Sequence, residues 1–204
     1  QAEDGIRDPP YSLVGSEMCI RDSPLSVPIA AIALMSVFLV AAPGHAAERE
    51  PLETVDSVDL ERYLGKWYEI ASYPMRFQKG CTATTATYSL RDDGLIKVVN
   101  RCRKDSLDGK AKEAVGRARV VDRETNAKLE VSFFGPFWGD YWIIDLDPDY
   151  QWAVVGGAKR KYLWILSRTP QMDGELYQEI LSRLPGKAYD PAKLNLTLQP
   201  DAGE

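Results

Sequence analysis

The feature that most constrains the fold is a succession of short apolar runs separated by turn residues. From Lys66 onward, runs rich in β-branched and aromatic residues recur about every 8 to 15 positions. They predict eight strands, over residues 66–73, 83–90, 95–102, 113–121, 128–134, 140–146, 151–157 and 161–168. The clearest turn between them is Arg91-Asp92-Asp93-Gly94, where glycine can adopt a positive φ angle.

The connections between these strands are short, which limits the possible topologies. Strands that follow one another closely pair antiparallel, as an up-and-down meander. Eight such strands can close on themselves, and closure removes exposed sheet edges while leaving room for one small ligand. The sequence therefore predicts an all-β fold, an eight-stranded antiparallel up-and-down barrel.

Two further elements follow the predicted barrel. Asp173 can cap a C-terminal α-helix that Pro185-Gly186 ends, and its apolar face comprises Leu176, Ile180, Leu181 and Leu184. Beyond the helix, leucines alternate with polar residues at positions 194 to 198, which predicts a short added strand.

The N-terminal part of the chain divides into two segments ahead of the domain. Residues 1–23 show no sustained periodicity and are interpreted as a non-native, adaptor-derived segment. Residues 24–46 have the layout of a signal peptide, because an apolar run shorter than the roughly 20 residues of a membrane span precedes small residues at a cleavage site. Residues 47–204 remain as one domain.

The cysteine count of this domain bears on its stability. Cys19 lies in the excluded segment, which leaves Cys81 and Cys102. An even number of cysteines in an exported chain favours a disulfide. Pairing of the second and third strands brings the two residues near one another, although strand alternation does not settle whether the geometry suits a bond.

Three patches along the meander carry a family resemblance. Gly65-x-Trp67 opens the first strand, the segment from Asp145 to Tyr150 joins the sixth strand to the seventh, and Arg168 ends the eighth. In this order the chain resembles the lipocalins across residues 56–200, and within them it is similar to the bacterial outer-membrane lipocalins of the Blc type and to apolipoprotein D. The resemblance implies that the Arg168 guanidinium lies across an inward-pointing Trp67 ring, a cation–π contact of about 0.5–2 kcal/mol. This cluster would close the bottom of the barrel and have a structural role.

The chain departs from the Blc-type pattern at one place. Those lipocalins usually carry a lipid-modified cysteine directly after the signal peptide, whereas Gly44-His45-Ala46-Ala47-Glu48 contains none. The expected protein is exported and either periplasmic, associated with the outer membrane or secreted, with membrane anchoring left open.

The inward-facing residues define a candidate ligand site. Side chains of a barrel strand alternate between lumen and outside. With Trp67 inward, the predicted ligand-binding residues are Tyr73, Tyr88, Val98, Asn100, Val131, Phe133, Tyr141 and Trp164. Other positions predicted to face inward are Glu69, Ala71, Leu90, Ile96, Ala114, Ala118, Ile143, Val155 and Tyr162. This mostly apolar lining suits an acyl chain with its polar head near the mouth, and the alternative is that the residues simply fill a core.

The loops at the predicted open end are basic although the chain is acidic overall. The segments 74–82, 103–112, 135–139 and 158–161, with the adjoining strand ends, hold ten basic and four acidic side chains, a local formal charge of +6. Such a rim favours an anionic lipid, for example a fatty acid or a lysophospholipid, and peripheral contact with an anionic membrane. Ordinary solvated loop charge is the alternative. Phe137 and Trp138 either dip into a membrane interface or fold back over the pocket.

Several classes of function are disfavoured. The formal charge of −5, without a long block of like charges, gives no nucleic-acid footprint. The only histidine, His45, lies in the predicted signal peptide, so we expect no catalysis, metal or cofactor, and an isolated Glu69 is more often a buried hydrogen-bonding residue. An outer-membrane barrel would need an apolar outer band, but outward positions carry charges such as Lys97 and Arg119.

The predicted function is the binding or transport of a lipid for storage, maintenance or repair of the cell envelope. A carrier of haem, a pigment or a signal molecule is the alternative, followed by an enzyme built on the lipocalin fold. The sequence leaves open whether the protein is a monomer or a homodimer.

Overall fold

The computed structural model describes residues 50–201. Eight antiparallel strands form the predicted meander, and β1 pairs with both β8 and β2, which closes the barrel. The strands are β1 (Gly65–Ser72), β2 (Cys81–Leu90), β3 (Ile96–Lys104), β4 (Ala111–Val120), β5 (Lys128–Ser132), β6 (Gly139–Leu146), β7 (Trp152–Gly156) and β8 (Trp164–Ser167). A short helix α1 (Leu60–Tyr63) precedes them, and helix α2 (Gly174–Arg183) and strand β9 (Asn195–Leu196) follow.

The predicted fold class is therefore confirmed, including the helix and the added strand. The proposed adaptor-derived segment 1–23 and signal peptide 24–46 lie outside the described residues. Within residues 50–201, no helix is both long enough and apolar enough to cross a membrane.

Strands β5 and β8 are shorter than predicted because the loops beside them extend into the predicted ranges. Strand β5 ends at Ser132, since the N–H of Phe137 donates to the Phe134 carbonyl at 3.0 Å and starts a turn there. Strand β8 begins only at Trp164, because Arg160 adopts a φ of 51° and its guanidinium is held by backbone carbonyls, including that of Lys187 at 2.8 Å. The apolar residues of both segments therefore belong to loops at the open end.

A β-bulge in β1 reverses the alternation of side chains. The pairing of β1 with β8 shifts register between Glu69 and Ala71. One extra residue at a bulge moves every later side chain to the opposite face. Trp67 and Glu69 therefore face the lumen, whereas Ala71 and Tyr73 pack outside the barrel in the core beneath α2. The prediction that Ala71 and Tyr73 line the lumen is wrong for this reason.

Two hydrophobic cores lie on the two sides of the sheet. The inner core fills the half of the barrel nearer the Trp67 end, which we call the closed end, and Trp67 and Ile143 are fully buried there. The outer core lies between α2 and the barrel wall, where Ile180 and Leu184 meet Ile165. Full burial of an isoleucine contributes about 1.5–3 kcal/mol, so this face holds the helix in place.

Helix α2 begins where the sequence indicates. The carboxylate of Asp173 accepts hydrogen bonds from the N–H groups of Glu175 and Leu176, at 2.9 and 3.0 Å. This cap satisfies two of the donors that a helix N-terminus leaves unpaired.

The predicted disulfide is present. Cys81 and Cys102 are bonded, with Cα atoms 5.5 Å apart and a separation of 21 positions in sequence. The bond ties the first residue of β2 to β3 at the open end, and closing a loop of this size contributes roughly 3 kcal/mol by the chain-entropy model.

Candidate ligand-binding site

The closed end of the barrel is built around Trp67. Its indole is fully buried and donates a hydrogen bond to the Tyr63 carbonyl at 2.8 Å. The Arg168 guanidinium carbon lies 3.8 Å from the centroid of the Trp67 rings. Gly65 has a φ of +95°, a conformation that residues with a side chain rarely adopt, so glycine suits the position.

Arg168 also joins separate parts of the chain by hydrogen bonds. It donates to the carbonyls of Arg62 at 2.6 Å, Lys66 at 3.0 Å and Tyr150 at 3.1 Å. These acceptors lie in α1, at the start of β1 and in the β6–β7 turn, so a single side chain ties all three to the end of β8. The predicted patches therefore meet at the closed end.

The β6–β7 segment contributes to this end in two ways. Tyr150 adopts a φ of 60°, its ring lies 4.1 Å beneath the Arg62 guanidinium carbon, and its hydroxyl accepts from the Asp59 N–H at 2.8 Å. Asp145 instead points toward α2, where it accepts from Arg183 at 3.1 Å. Arg62 thus provides a second cation–π contact that the sequence motifs do not include.

Three tyrosines occupy the floor of the lumen above Trp67. The Tyr141 hydroxyl oxygen lies 2.8 Å from that of Tyr63 and 2.8 Å from that of Tyr88. Burial raises the pKa of all three phenols above the ordinary value of 10.0, so the floor carries no charge at neutral pH. Tyr63 precedes the first strand, so alternation along the strands could not reveal it.

Little space remains beside the tyrosines. A cavity of about 10 Å³ lies among them, with Val98 and Val131 also in its wall. A space of this size holds about one water molecule. Val98, Tyr88 and Tyr141 therefore form the floor of the lumen.

The upper half of the lumen is open. Ala114 faces inward opposite Asn100, yet it is exposed to solvent. Asn100, Phe133 and Trp164 are half-buried around the same space. Gly116 makes room for the Phe133 ring, since a Cβ atom there would lie 2.8 Å from a ring carbon.

Asn100 is a polar group of this region with an unused acceptor. Its side-chain oxygen is buried and accepts no hydrogen bond from any other residue in the range 50–201. A buried acceptor left unpaired costs about 1–3 kcal/mol. A ligand hydroxyl or a bound water would remove that cost, which makes Asn100 suited to recognising a polar group.

Glu69 is held on the lumen side of β1 by three donors. Its carboxylate accepts from Thr197 and Gln78 at 2.7 Å each and from Ser72 at 3.0 Å. The side-chain amide oxygen of Gln78 in turn accepts from the Trp164 indole at 3.3 Å. Three hydrogen bonds satisfy the buried carboxylate, so the structure supports the interpretation of Glu69 as a buried hydrogen-bonding residue.

The C-terminal segment completes the wall of the upper lumen. Strand β1 pairs with β2 only from Gly65 to Tyr68, and β9 pairs with β1 beyond that point. On the other side, the N–H of Ala83 donates to the Leu198 carbonyl at 2.7 Å. The Gln199 side chain donates to the carbonyls of Glu69 at 2.8 Å and Thr84 at 2.9 Å. Residues 195–199 thus fill the gap between the two diverging strands.

Four loops surround the opening, and we call them the mouth loops: 73–80, 105–110, 133–138 and 157–163. Much of the acidic charge nearby is already engaged, as Asp105 pairs with Lys104 and Glu113 with Arg101, both at 2.8 Å. Phe134 and Phe137 are exposed. Trp138 does not fold back over the pocket, because its ring lies against the outer wall, with its centroid within 5.3 Å of both the Arg117 and the Arg119 guanidinium carbons.

Comparison with known proteins agrees with this architecture. Residues 58–199 match the family described as the lipocalin-like domain. The chain belongs to the lipocalins. This lipocalin is 42% identical over 168 residues to the outer membrane lipoprotein Blc of Escherichia coli (strain K12), covering 82% of this chain and 94% of the relative.

Relatives also occur in plants and animals. Temperature-induced lipocalin-1 of Arabidopsis thaliana is 43% identical over 163 residues, covering 76% of this lipocalin and 86% of the relative. Apolipoprotein D of Rattus norvegicus is 33% identical over 147 residues, with coverages of 68% and 76%. Among solved structures, insecticyanin from the tobacco hornworm has a TM-score of 0.60 at 21% identity, covering 74% of this chain and 85% of that chain. That structure supports the fold alone.

Most of the predicted ligand-binding residues face the lumen of this lipocalin. The structure brings together Tyr88, Val98, Asn100, Val131, Phe133, Tyr141 and Trp164, and places Tyr73 outside, where its hydroxyl donates to the Asp190 carbonyl at 3.0 Å. Leu90 is 67% exposed, because it ends β2 beyond the packed interior. In the part of the chain that the structure describes, no group of three His, Cys, Asp or Glu side chains could hold a metal ion.

Proposed function

We propose that this lipocalin holds one amphiphilic lipid, a fatty acid or a lysophospholipid, in the upper half of its barrel. The open space above the tyrosine floor carries the proposal. Its wall combines Phe133, Trp164 and Ala114 with an unused polar acceptor on Asn100. Such a lining suits an acyl chain and places the polar head toward the mouth.

The charge around the mouth supports an anionic headgroup. Arg76, Lys79, Lys159 and Lys161 are exposed on the mouth loops, and none of them makes an ion pair with another residue in the range 50–201. Uncompensated cations raise the local concentration of anionic ligands. A carboxylate or a phosphate would meet them as the acyl chain enters the lumen.

Binding without chemical conversion is the activity that the lumen supports. Its carboxylate, Glu69, already accepts three hydrogen bonds, and the domain from residue 47 onward has no histidine. The kinship with an outer membrane lipoprotein supports a place in the cell envelope, where the protein would store, maintain or repair lipid and contact membranes peripherally.

Two neighbouring positions on β4 provide a sharp test. Ala114 faces the lumen, whereas Val115 is 53% exposed on the outer wall. We expect Ala114→Trp to weaken binding of a fluorescent fatty acid to delipidated protein at least tenfold, because the indole fills the proposed site. Val115→Trp is the matched control and should bind normally.

Competition then defines the ligand class. Unlabelled fatty acid and lysophospholipid should displace the probe, and a fatty alcohol of equal chain length should displace it less well. The proposal fails if wild-type protein does not bind the probe, or if Ala114→Trp binds it as well as Val115→Trp does.

A further inference from the structure

We infer that three neighbouring mouth loops, 73–80, 133–138 and 157–163, form a docking surface for an anionic lipid bilayer. The inference rests on the proposed function, because it names the surface from which the lumen would exchange its lipid. We call these loops the docking loops. The remaining mouth loop, 105–110, contains no aromatic residue.

The docking loops expose large apolar side chains. Phe77, Phe134 and Phe137 are 67%, 80% and 77% exposed. Soluble proteins scatter single apolar residues over their surfaces, but a group of them beside one opening marks an interaction site. Transfer of these rings from water into the interfacial region of a bilayer is favourable, because it removes apolar surface from water.

The barrel topology brings the docking loops together. Strands β5, β6, β7, β8, β1 and β2 follow one another round the barrel, so loops 133–138, 157–163 and 73–80 are consecutive at the opening. The Phe77 ring lies 5.9 Å from the Tyr162 ring, which is direct contact between two of these loops. The exposed rings therefore lie on loops 73–80 and 133–138, on either side of loop 157–163 round the opening.

The charge of these loops matches an anionic surface. Arg76 and Lys79 flank Phe77 in sequence, and Lys159 and Lys161 lie in the adjacent loop. At the opposite end of the barrel, the hairpin turns carry acidic residues, namely Asp92, Asp93, Asp122, Glu124, Asp147 and Asp149. An anionic bilayer attracts the basic end and repels the acidic end, so the mouth would face the membrane.

The same charges disfavour a second copy of the chain as the occupant. A symmetric contact places the same patch on both partners, so the exposed cations would face one another. A neutral or acidic partner surface is needed, and a bilayer containing anionic lipid provides both negative charge and an apolar phase. The partner that fits the docking loops is therefore an anionic membrane.

Vesicle co-sedimentation provides the test. The double variant Phe134→Ser/Phe137→Ser should bind vesicles of phosphatidylcholine with phosphatidylglycerol at least tenfold more weakly than wild-type protein. Leu90→Ser is the control, since Leu90 is a large apolar side chain that is 67% exposed at the closed end, and it should bind like wild-type. Lys159→Glu/Lys161→Glu should weaken binding similarly, and vesicles of phosphatidylcholine alone should bind wild-type protein poorly.

The fluorescent fatty-acid titration separates this inference from the proposed function. The Phe134→Ser/Phe137→Ser variant should retain wild-type affinity for the probe in solution, which also shows that it is folded. If wild-type protein does not bind the probe, the proposed function is refuted. The vesicle result then still decides whether the docking loops bind a membrane.

Three outcomes would overturn the inference. In the first, wild-type protein does not bind the anionic vesicles. In the second, the phenylalanine variant binds them as well as Leu90→Ser does. In the third, sedimentation velocity shows a wild-type dimer that the phenylalanine substitutions dissociate, which would make the patch an interface between two copies.

Discussion

Replacing Arg168 by alanine should destabilise the protein by about 3–4 kcal/mol. The side chain donates three hydrogen bonds to backbone carbonyls and lies over the Trp67 rings. For partly exposed bonds we take about 1 kcal/mol each, and the cation–π contact adds about 1 kcal/mol. The perturbation removes all four contacts at once without touching the lumen above the tyrosine floor.

The assay is equilibrium urea denaturation followed by tryptophan fluorescence. Arg168→Lys keeps the charge but loses the forked donor geometry, so it should fall between wild-type protein and Arg168→Ala. Arg91→Ala removes an exposed ion pair to Asp93 at the same end of the barrel and should leave the free energy of unfolding nearly unchanged. A loss of less than about 1 kcal/mol in Arg168→Ala would refute the view that this residue holds the closed end together.

Further predictions concern the floor and the disulfide. Tyr141→Phe removes the hydroxyl that joins Tyr63 and Tyr88 and leaves their two hydroxyls unpaired. Urea denaturation should therefore show a free energy of unfolding lower by about 1–3 kcal/mol, and Tyr63→Phe should lower it less. Because folding raises the pKa of these tyrosines above 10.0, the unfolded state releases its protons first, and stability should fall as pH rises above about 10. That fall should be smaller in Tyr141→Phe, and equal slopes would contradict it. Replacing Cys81 and Cys102 together by serine should cost roughly 3 kcal/mol, and mass spectrometry finding free thiols in oxidised wild-type protein would rule out the bond.

The overall barrel could be predicted because local signals and the global fold agree. Turn residues such as Asp93-Gly94 separate alternating apolar runs, and Asp173 occupies the cap of the helix that follows. The motif residues Gly65, Trp67 and Arg168 then orient the closed end. Each of these signals depends on a few residues close together in sequence or on a fixed topology.

The parts that escaped prediction depend on pairings that sequence does not reveal. The β1 bulge involves Glu69-Ile70-Ala71, ordinary strand residues, so strict alternation placed Tyr73 in the lumen. Tyr63 and Gln199 lie outside the eight strands. Tyr63 nevertheless completes the tyrosine floor, and Gln199 bridges β1 and β2. The position of Trp138 depends on its contacts with Arg117 and Arg119 of β4, which are distant from it in sequence.

The most direct test of lipid binding is native mass spectrometry of the protein purified from bacteria without delipidation. We predict one lipid for each chain, an anionic amphiphile whose mass identifies a fatty acid or a lysophospholipid. The adduct should disappear in Ala114→Trp and persist in Val115→Trp. A wild-type protein that carries no lipid and takes up none when it is offered, or an adduct unaffected by Ala114→Trp, would contradict the proposed site.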